Sequence, residues 1–494
     1  MERIVKKDLG KVLDGWWVGQ IINYLSIEVC TSWFGVVMSS DLDALFEPKT
    51  IALIGATTKM KFGYGVTKDL LESDFKVYPV HPKETEIMGE KVYRSVEDIP
   101  DDIDLAIIVI PAKRVKSAME ECARKGVKSV IIESAGFSET GEEGKKLEDE
   151  VVSIAKENGI RVVGPNCVGL MNMANDLSTT GIKTDRLTKG GVSVIAQSGV
   201  LGNILLEWAP SQNIRFSKVI TVGNKCDVNE IDLMEYFAND DDTKVIVIYL
   251  EGVKGGERFI KVAKNVMKKK PVIVVKSGRT ELGSRAVASH TGSIAGEDRI
   301  YDAVFAQTGI LRFGYFEEAF AVAKTFDFLP LPKGDRLAIV TSSGSMGALA
   351  CDECVAQDLR LAGFAPKTID KIQKSAPDWV TVKNPMDVGP SGLFVPAVKE
   401  IMKDDGVDAV VLIMVAPLTS FGGTQIFDML FGSFKGMLSK FRDKPFVFCT
   451  FGDPDLTIKK AREHLEESGI PVFTSPQIAV KALASLYRYS EHLK

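Results

Sequence analysis

The stretch Val192-Ser-Val-Ile-Ala-Gln-Ser-Gly199 places a short run rich in Val and Ile directly before a Gln-Ser-Gly turn. Such a run predicts a buried parallel strand, and the small residues after it predict the start of a helix. The same pattern returns in Leu337-Ala-Ile-Val-Thr-Ser-Ser-Gly344. Two matching segments in one chain predict an α/β unit that is present in two copies.

Two further pairs of segments extend this internal repeat. Asp242–Tyr249 matches Gly406–Ile413, and Lys270–Gly278 matches Lys444–Gly452, in the same order along the chain. The segment Leu329-Pro-Leu-Pro-Lys-Gly334 lies between the copies and has the composition of a linker. The repeat therefore predicts two domains of one type.

The two copies differ at two places. After the matched segment Lys270–Gly278 the first copy is longer than the second. The extra residues fall around Ser289-His-Thr-Gly-Ser-Ile-Ala-Gly296. Where the first copy has Glu251 after a strand, the second has Val415. A loop and a carboxylate present in only one copy predict that chemistry takes place in that copy.

The chain before the repeat has an α/β pattern of its own, in which apolar runs alternate with helical patterns. Its five predicted strands are Thr50–Thr57, Lys76–His81, Leu105–Pro111, Ser129–Gly136 and Arg161–Pro165. Five strands in this order indicate a doubly wound domain. The predicted fold class is therefore α/β, with a Rossmann-like domain at 41–175 and two flavodoxin-like parallel-sheet domains at 176–332 and 333–494.

Residues 1–40 form an extension to which the sequence assigns no role. Leu13–Met38 is rich in Trp, Ile and Val, but acidic and amide residues from Asp14 to Glu28 interrupt it, which argues against a membrane span. Regular patterning begins only after Met38, which is therefore an alternative start of the chain. A net charge of −5 over 494 residues predicts neither nucleic acid nor an anionic membrane as partner.

The cysteines favour a cytoplasmic location. There are seven, an odd number without the spacing of a disulfide framework. Cys351 and Cys354 form a CxxC pair, but neither a second pair nor a nearby histidine completes a zinc site, and the segment has a helical pattern. We therefore expect ordinary helix cysteines and no metal site.

His290 is the candidate nucleophile among four histidines. It lies in a predicted loop of small residues, whereas His464 and His492 lie among charged residues in helical patterns. A histidine on a low-bulk loop is available for chemistry, although many such residues are incidental to function. Glu251 follows the strand one βα step earlier and could fix the tautomer of His290, the alternative being a solvated surface carboxylate.

The two Ser-Gly turns are candidate phosphate sites. A helix N-terminus offers free backbone N–H groups and a partial positive charge, which together bind phosphate. The alternative is that the serines only cap their helices. The predicted phosphate-binding residues are Gln197, Ser198, Gly199, Ser343 and Gly344.

A glycine-rich loop, Ile54-Gly-Ala-Thr-Thr-Lys-Met-Lys-Phe-Gly-Tyr-Gly65, follows the first strand. Its glycines permit close approach to a ligand, and its threonines and lysines can contact phosphate. The spacing is not that of GxGxxG, and the second strand leads to Lys83 instead of an acidic residue. A basic group at that position favours a ligand with an extra phosphate, such as NADP or coenzyme A.

Several segments taken together resemble the α subunit of NDP-forming (ADP-forming) acyl-CoA synthetases of the acetate–CoA ligase type, and more distantly that of succinyl-CoA synthetase. The matching segments are Leu45–Ala56, Pro111, Glu133–Phe137, Gly164–Gly169, Gln197–Gly202 and Ser289–Ser293. The resemblance implies the reversible reaction of acyl-CoA, phosphate and ADP to give a carboxylic acid, coenzyme A and ATP. Its implied intermediates are an acyl phosphate and a phosphohistidine at His290, supported by Glu251.

The resemblance also implies where the ligands bind. The implied coenzyme A residues are Gly55, Thr57, Thr58, Lys59, Gly63, Gly65, Lys83, Pro111, Glu133, Ser134, Ala135 and Asn166. Nothing in the chain has the size or pattern of an ATP-grasp domain. We therefore expect a separate ATP-grasp β subunit that holds ADP or ATP with Mg²⁺, in an α2β2 assembly, with phosphate and an acyl-CoA as the other substrates.

Three alternative functions compete with this interpretation. The corresponding chain of a succinyl-CoA synthetase-like ligase has no third domain, so the unit after residue 333 argues against that function. A non-catalytic CoA-binding regulatory protein would not need both His290 and Glu251. An NADP-dependent reductase leaves the His290 segment and the paired helix starts unexplained.

Overall fold

Three large β-sheets organise the part of the chain that this computed structural model describes. That part comprises residues 42–291, 297–415, 434, 436–437, 440–452, 457 and 459–494. The extension predicted at residues 1–40 lies outside the described residues. The chain divides into the units Met1–Asp43 and Ala44–Lys494, and all three sheets belong to the second unit.

The first sheet is parallel and is built from five short apolar strands. These are β1 (Thr50–Ile54), β2 (Lys76–Val80), β5 (Leu105–Ile108), β6 (Ser129–Ile132) and β7 (Arg161–Val163), while β3 (Glu86–Ile87) and β4 (Glu90–Lys91) form a separate antiparallel pair. The helices of this region are α1 (Asp43–Phe46), α2 (Tyr64–Leu71), α3 (Ala112–Lys125) and α4 (Glu142–Glu157). The strand order is β2-β1-β5-β6-β7.

This order confirms the predicted doubly wound arrangement. The chain moves outward from β1 in both directions, so the loops after β1 and β5 diverge and leave a crevice at the carboxyl ends of the strands. Strands β5 and β6 are buried along their whole length, which explains their unbroken apolar sequences. All five predicted strands are present, and each ends earlier than predicted because the chain leaves the sheet to form loops.

The second sheet contains seven strands. They are β8 (Leu170–Asn172), β9 (Leu177–Ser178), β10 (Thr188–Ala196), β11 (Arg215–Thr221), β12 (Val245–Leu250), β13 (Val272–Lys276) and β14 (Leu311–Phe313), in the order β14-β13-β12-β10-β11-β8-β9. Its helices are α5 (Gly199–Gln212), α6 (Glu230–Asn239), α7 (Gly256–Met267), α8 (Glu281–Thr291), α9 (Asp298–Thr308) and α10 (Phe316–Phe328). Strands β10 to β14 are parallel to one another, which confirms the predicted parallel sheet, although β14 itself was not predicted.

The hairpin β8–β9 was not predicted. It pairs antiparallel with β11 through Leu170–Asn172, so the sheet begins before residue 176. Its strands are only three and two residues long, too short for their apolar pattern to signal a strand. The domain ranges 41–175, 176–332 and 333–494 stay a prediction.

The third sheet repeats the second. Its strands are β15 (Arg336–Thr341), β16 (Arg360–Leu361), β17 (Met386–Asp387), β18 (Ala409–Ile413), β19 (Phe446–Cys449) and β20 (Val472–Phe473), in the order β16-β15-β18-β19-β20 with β17 also paired to β15. Its helices are α11 (Gly344–Ala356), α12 (Pro366–Gln373), α13 (Phe394–Met402), α14 (Lys459–Leu465) and α15 (Pro476–His492). The order β20-β19-β18-β15 matches β14-β13-β12-β10, which confirms the predicted duplication. None of the helices in the described ranges is long and apolar enough to cross a membrane.

A buried ion pair joins the two repeated domains. Lys324 on α10 and Glu466, which follows α14, lie 2.6 Å apart, and their side chains are 3% and 0% exposed. The Lys324 ammonium also donates to the Gln212 and Val472 carbonyl oxygens, each at 3.2 Å. Because both charged side chains are buried, removal of one charge leaves the other without compensation.

We expect Lys324→Met to lower the free energy of unfolding by about 3 kcal/mol, since Glu466 would remain as a buried charge. A urea titration measures this loss. The control Arg360→Met removes an exposed pair with Asp335 and should cost less than about 1 kcal/mol. The double variant Lys324→Met/Glu466→Leu should recover part of the loss; equal costs for the buried and exposed pairs would contradict the explanation.

Candidate active site

One cavity of about 500 Å³ brings together loops from the first and second sheets. It lies at the carboxyl ends of parallel strands, where α/β sheets generally bind their ligands. Its wall is formed by Lys61, Phe62, Val109, Ile110, Pro111, Glu133, Ser134, Ala135, Asn166, Cys167, Val168, Gln197, Ser198, Gly199, Gly223 and Asn224. Predicted coenzyme A residues and predicted phosphate residues therefore line the same space.

The glycine-rich loop after β1 folds back onto helix α2. The Thr57 N–H donates to Thr67 Oγ1 at 3.1 Å, and Thr67 Oγ1 donates to the Gly63 carbonyl at 2.7 Å. Gly55 has φ +101°, and a Cβ there would lie 2.5 Å from the Val109 carbonyl oxygen, so only glycine fits. The loop is thus held tightly at its base.

The middle of this loop faces solvent. Thr58 and Lys59 are exposed, while Lys61 and Phe62 line the cavity. Phe62 was not predicted, and Lys61 was predicted only as one of the loop lysines that can contact phosphate.

Two other predicted coenzyme A residues lie apart from the cavity wall. Gly65 approaches Gly181: a Cβ on Gly65 would lie 3.4 Å from the Gly181 Cα. Lys83 is exposed, and its backbone N–H donates to His81 Nδ1 at 3.3 Å. Their roles in binding stay predictions.

The turn after β6 supplies a buried carboxyl group to the cavity. Glu133 is 3% exposed, and its Oε1 makes no hydrogen bond within the described part of the chain. Burial raises the pKa of Glu133 to about 8, because a charged carboxylate is costly without water. Ser134 Oγ donates to the Ile110 carbonyl, and the Asn166 N–H donates to the Ser134 carbonyl at 3.0 Å.

Cys167 lies beside Glu133 and is a packed thiol. It is buried, and its Sγ donates to the Ile132 carbonyl oxygen at 3.3 Å. Burial and the neighbouring Glu133 raise the pKa of Cys167 above the ordinary range of thiols. Because only a thiolate is a good nucleophile, Cys167 is not activated for attack.

Helix α5 begins at the cavity wall. Ser198 is its N-cap and accepts from the Leu201 N–H at 3.5 Å, so the capping alternative is present at this position. Gln197 Oε1 accepts from the N–H groups of Glu251 and Gly252, at 2.9 and 3.2 Å. Gln197 therefore links the helix start to the turn that holds Glu251, which is 4% exposed.

The second copy has an equivalent link. Ser342 Oγ accepts from the Val415 N–H at 2.9 Å, at the position equivalent to the contact between Gln197 and Glu251. A Cβ on Gly344 would lie 2.8 Å from Asp387 Oδ2, so a carboxylate approaches the start of α11. Within the described residues, Ser343 and Gly344 do not line the cavity. Their role in phosphate binding stays a prediction.

Lys225 is a site residue that sequence reasoning missed. Its ammonium lies 2.9 Å from Glu230 Oε2 and donates to the Gly252 carbonyl at 2.6 Å and to Gln197 Oε1 at 3.4 Å. It is buried and therefore holds the Glu251 turn against α5. Its place four residues after β11, in the loop at the carboxyl end of a strand, is the signal that could have found it.

The predicted loop around His290 is partly wrong. Helix α8 runs from Glu281 to Thr291 and includes the backbone of His290. Thr280 starts the helix, since its Oγ1 accepts from the Gly283 N–H at 3.1 Å, and Arg285 pairs with Glu281 one turn away. These local contacts outweigh the small residues on which the prediction rested. The side chain of His290 and residues 292–296 lie outside the described part of the chain.

Comparisons with known proteins agree with this architecture. Residues 49–173 match a CoA binding domain, residues 189–326 a succinyl-CoA ligase like flavodoxin domain, and residues 337–493 a Ligase-CoA domain. The chain is 43% identical to the α subunit of acetate–CoA ligase (ADP-forming) II of Pyrococcus furiosus, over 92% of this chain and 98% of that protein. The chain belongs to the ADP-forming acetate–CoA ligase family.

Other members of the acetate–CoA ligase family extend the comparison. The chain is 42% identical to the acetate–CoA ligase (ADP-forming) of Methanocaldococcus jannaschii over 91% of its own length, and spans 63% of the length of that protein. An acetyl-coenzyme A synthetase of Ca. Korarchaeum cryptofilum, solved in complex with phosphate and ADP, superposes with a TM-score of 0.86. That structure is 34% identical, and the match covers 92% of this chain and 98% of the other.

Gly223 tests the packing of the cavity wall. It has φ +52°, and a Cβ there would lie 2.2 Å from the Pro165 carbonyl oxygen and 2.5 Å from that of Asn166. We expect Gly223→Ala to lower the free energy of unfolding by about 3 kcal/mol through strain and overpacking. The control Gly255→Ala shares the left-handed backbone, with φ +78°, but meets open space. It should cost about 1 kcal/mol in the same urea titration; equal losses would contradict the clash.

Proposed function

We propose that this chain is the α subunit of an ADP-forming acyl-CoA synthetase that acts on acetyl-CoA. The reaction is acetyl-CoA, phosphate and ADP to acetate, coenzyme A and ATP. The observation that carries the proposal is the single cavity where the Glu133–Ala135 turn and Asn166 meet the start of helix α5. Thioester and phosphate must meet in one space for an acyl phosphate to form.

The loop residues fit coenzyme A as a substrate. The 500 Å³ cavity opens beside the 55–65 loop, where Lys61 can pair with a phosphate and Phe62 presents an apolar face. We assign the exposed Lys59 and Lys83 to the outer phosphates of the ligand, which a positive charge attracts. Pro111, Ser134 and Ala135 complete the wall nearest the thioester.

The start of α5 suits the attacking phosphate. Gly199 lies on the cavity wall at the first turn of a 14-residue helix, where free N–H groups and the helix dipole favour an anion. We propose that phosphate attacks the thioester here and that the acyl phosphate then passes its phosphoryl group to His290. Glu251, fixed through Gln197 and Lys225, orients the imidazole and stabilises its positive charge.

A separate ATP-grasp subunit completes the enzyme in this proposal. The chain spans 98% of relatives named as α subunits but 63% of the Methanocaldococcus jannaschii ligase, which leaves room there for a further part. We place ADP or ATP with Mg²⁺ on that β subunit, in an α2β2 assembly. The six cysteines that are free within the described residues favour a cytoplasmic location.

The choice of acetate rests on relatives named as acetate–CoA ligases, two of which are 43% and 42% identical to this chain. Others are named for different acids: a 4-hydroxybutyrate–CoA ligase is 36% identical and a trans-feruloyl-CoA synthase 30% identical. A succinate–CoA ligase α subunit matches only 42% of this chain, at 27% identity. The succinyl-CoA alternative therefore leaves more than half of the chain without a counterpart.

Phosphoryl transfer is the test. The chain, together with its β subunit, is incubated with acetyl-CoA and radiolabelled phosphate in the absence of ADP. The expected result is protein-bound label that is acid-labile and base-stable, as phosphohistidine is, and that leaves as ATP when ADP is added. Binding of coenzyme A without label from acetyl-CoA, propionyl-CoA or an aryl-CoA would instead support a CoA-binding regulatory protein.

A further inference from the structure

The carboxyl group of Glu133 lacks the partners that two other buried glutamates nearby, Glu148 and Glu230, have. Glu148 is bonded to Ser138 Oγ at 2.6 Å, and Glu230 lies 2.9 Å from the Lys225 ammonium. Glu133 is equally buried and lines the cavity, yet its Oε1 has no hydrogen-bond partner within the described residues. A buried carboxyl without a partner lowers stability, so its place here is explained by a ligand.

We propose that Glu133 is the catalytic acid–base residue of the thioester step, giving its proton to the sulfur of coenzyme A as phosphate displaces it. In the reverse direction its carboxylate takes the proton from the thiol. This inference rests on the proposed function and adds a role to a residue so far expected only to bind the ligand.

The step balances without any further reactant. An oxygen of hydrogen phosphate forms a bond to the acyl carbon, the carbon–sulfur bond breaks, and its electron pair stays on sulfur. The Glu133 proton passes to that sulfur, which gives the free thiol of coenzyme A. Hydrogen phosphate loses its own proton as the acyl phosphate forms, and that proton returns Glu133 to its acid form.

The surroundings of Glu133 favour this role. Its pKa of about 8 leaves it protonated at neutral pH and close to the range in which proton transfer in both directions is efficient. Besides Glu133, the titratable groups of described residues that line this cavity are Cys167 and Lys61. Cys167 donates to a carbonyl oxygen and has a raised pKa, and Lys61 is exposed at the rim. Glu133 is therefore the buried carboxyl group on this wall.

The test compares two steps in the complete α/β enzyme. One is release of coenzyme A from acetyl-CoA by phosphate, which breaks the carbon–sulfur bond. The other is labelling of the protein by radiolabelled acetyl phosphate, which does not involve sulfur. We expect Glu133→Gln to slow the first step about 100-fold and to leave the second within about threefold of wild type. Glutamine keeps a hydrogen-bond donor, so the loss reports proton transfer.

Two further readouts separate catalysis from structure. Wild-type release of coenzyme A should fall as the pH rises through about 8, where Glu133 loses its proton, and Glu133→Gln should lack this fall. Glu133→Asp, which restores a carboxyl group, should be at least about tenfold faster than Glu133→Gln. The control Glu97→Gln makes the same change at an exposed pair with Arg124 and should match wild type.

Each contrary result has one meaning. If Glu133→Gln released coenzyme A at the wild-type rate and with the wild-type pH profile, the proposed role of Glu133 would be overturned. The proposed function of the chain would stand. Equal loss of both steps would also overturn the role of Glu133, since it would show a structural role. Failure of the wild-type enzyme in both steps would overturn the proposed function and this inference with it.

Discussion

His290→Ala should abolish the acid-labile label on the protein, because it removes the nucleophile that accepts the phosphoryl group. The label should be lost whether it is supplied as radiolabelled phosphate with acetyl-CoA or as radiolabelled acetyl phosphate. His290 lies at the penultimate position of α8, within the segment that the second repeat lacks. Filter-bound radioactivity after alkaline wash measures the label. The loss should be complete to the detection limit, a larger effect than for any other single substitution considered.

Two other histidines provide matched controls for this variant. His464→Ala and His492→Ala change residues of α14 and α15, in the domain of the third sheet. Both should keep wild-type labelling. Label that survives in His290→Ala, or that disappears in either control, would place the phosphoryl group on another residue and remove His290 from the proposed mechanism.

Glu251→Gln should slow formation of the phosphohistidine by about 10³-fold, as expected when a buried carboxylate that orients an imidazole becomes an amide. Glu251 is almost fully buried, and its turn is fixed by Gln197 Oε1 and by the Lys225 ammonium on the Gly252 carbonyl. The amide has no negative charge to stabilise the imidazolium. Rapid-quench labelling with acetyl phosphate in a single turnover measures the rate.

The control for Glu251 is Glu257→Gln, which makes the same change at an exposed position in the first turn of α7. It should label at the wild-type rate. Release of coenzyme A from acetyl-CoA in the first turnover should also be nearly unchanged in Glu251→Gln, because that step precedes the histidine. A Glu251→Gln rate within about tenfold of wild type would contradict the orienting role.

Much of the fold was predictable because its signals are local. Unbroken apolar runs such as Leu105–Ile108 and Val245–Leu250 are typical of buried strands in a parallel sheet. The matching starts at Gly199 and Gly344 indicated the duplication, and the two sheets have the same strand order. The short hairpin β8–β9 escaped prediction because strands of two or three residues have no periodicity to detect.

The candidate site was predictable in part, for a related reason. Gln197 could be named because it lies where a predicted strand meets a predicted helix, whereas Glu133 was named through the family resemblance. What each side chain contacts depends on residues distant in sequence: Gln197 bonds to Glu251 and Gly252. Its Oε1 is thus a link within the protein, which the Gln-Ser-Gly turn did not indicate.

The sequence by itself determined the three α/β units, their duplication, the family and the positions where chemistry was to be sought. Tertiary structure alone decided that Lys225 supports the Glu251 turn and that His290 lies in the last turn of a helix. It also decided that Glu133 is buried without a partner in the described chain. Strands and turns follow from neighbouring residues. Desolvation and hydrogen bonding depend instead on which distant segments the fold brings together. Because desolvation and hydrogen bonding set the pKa of a carboxyl group, its chemistry is decided by the tertiary structure.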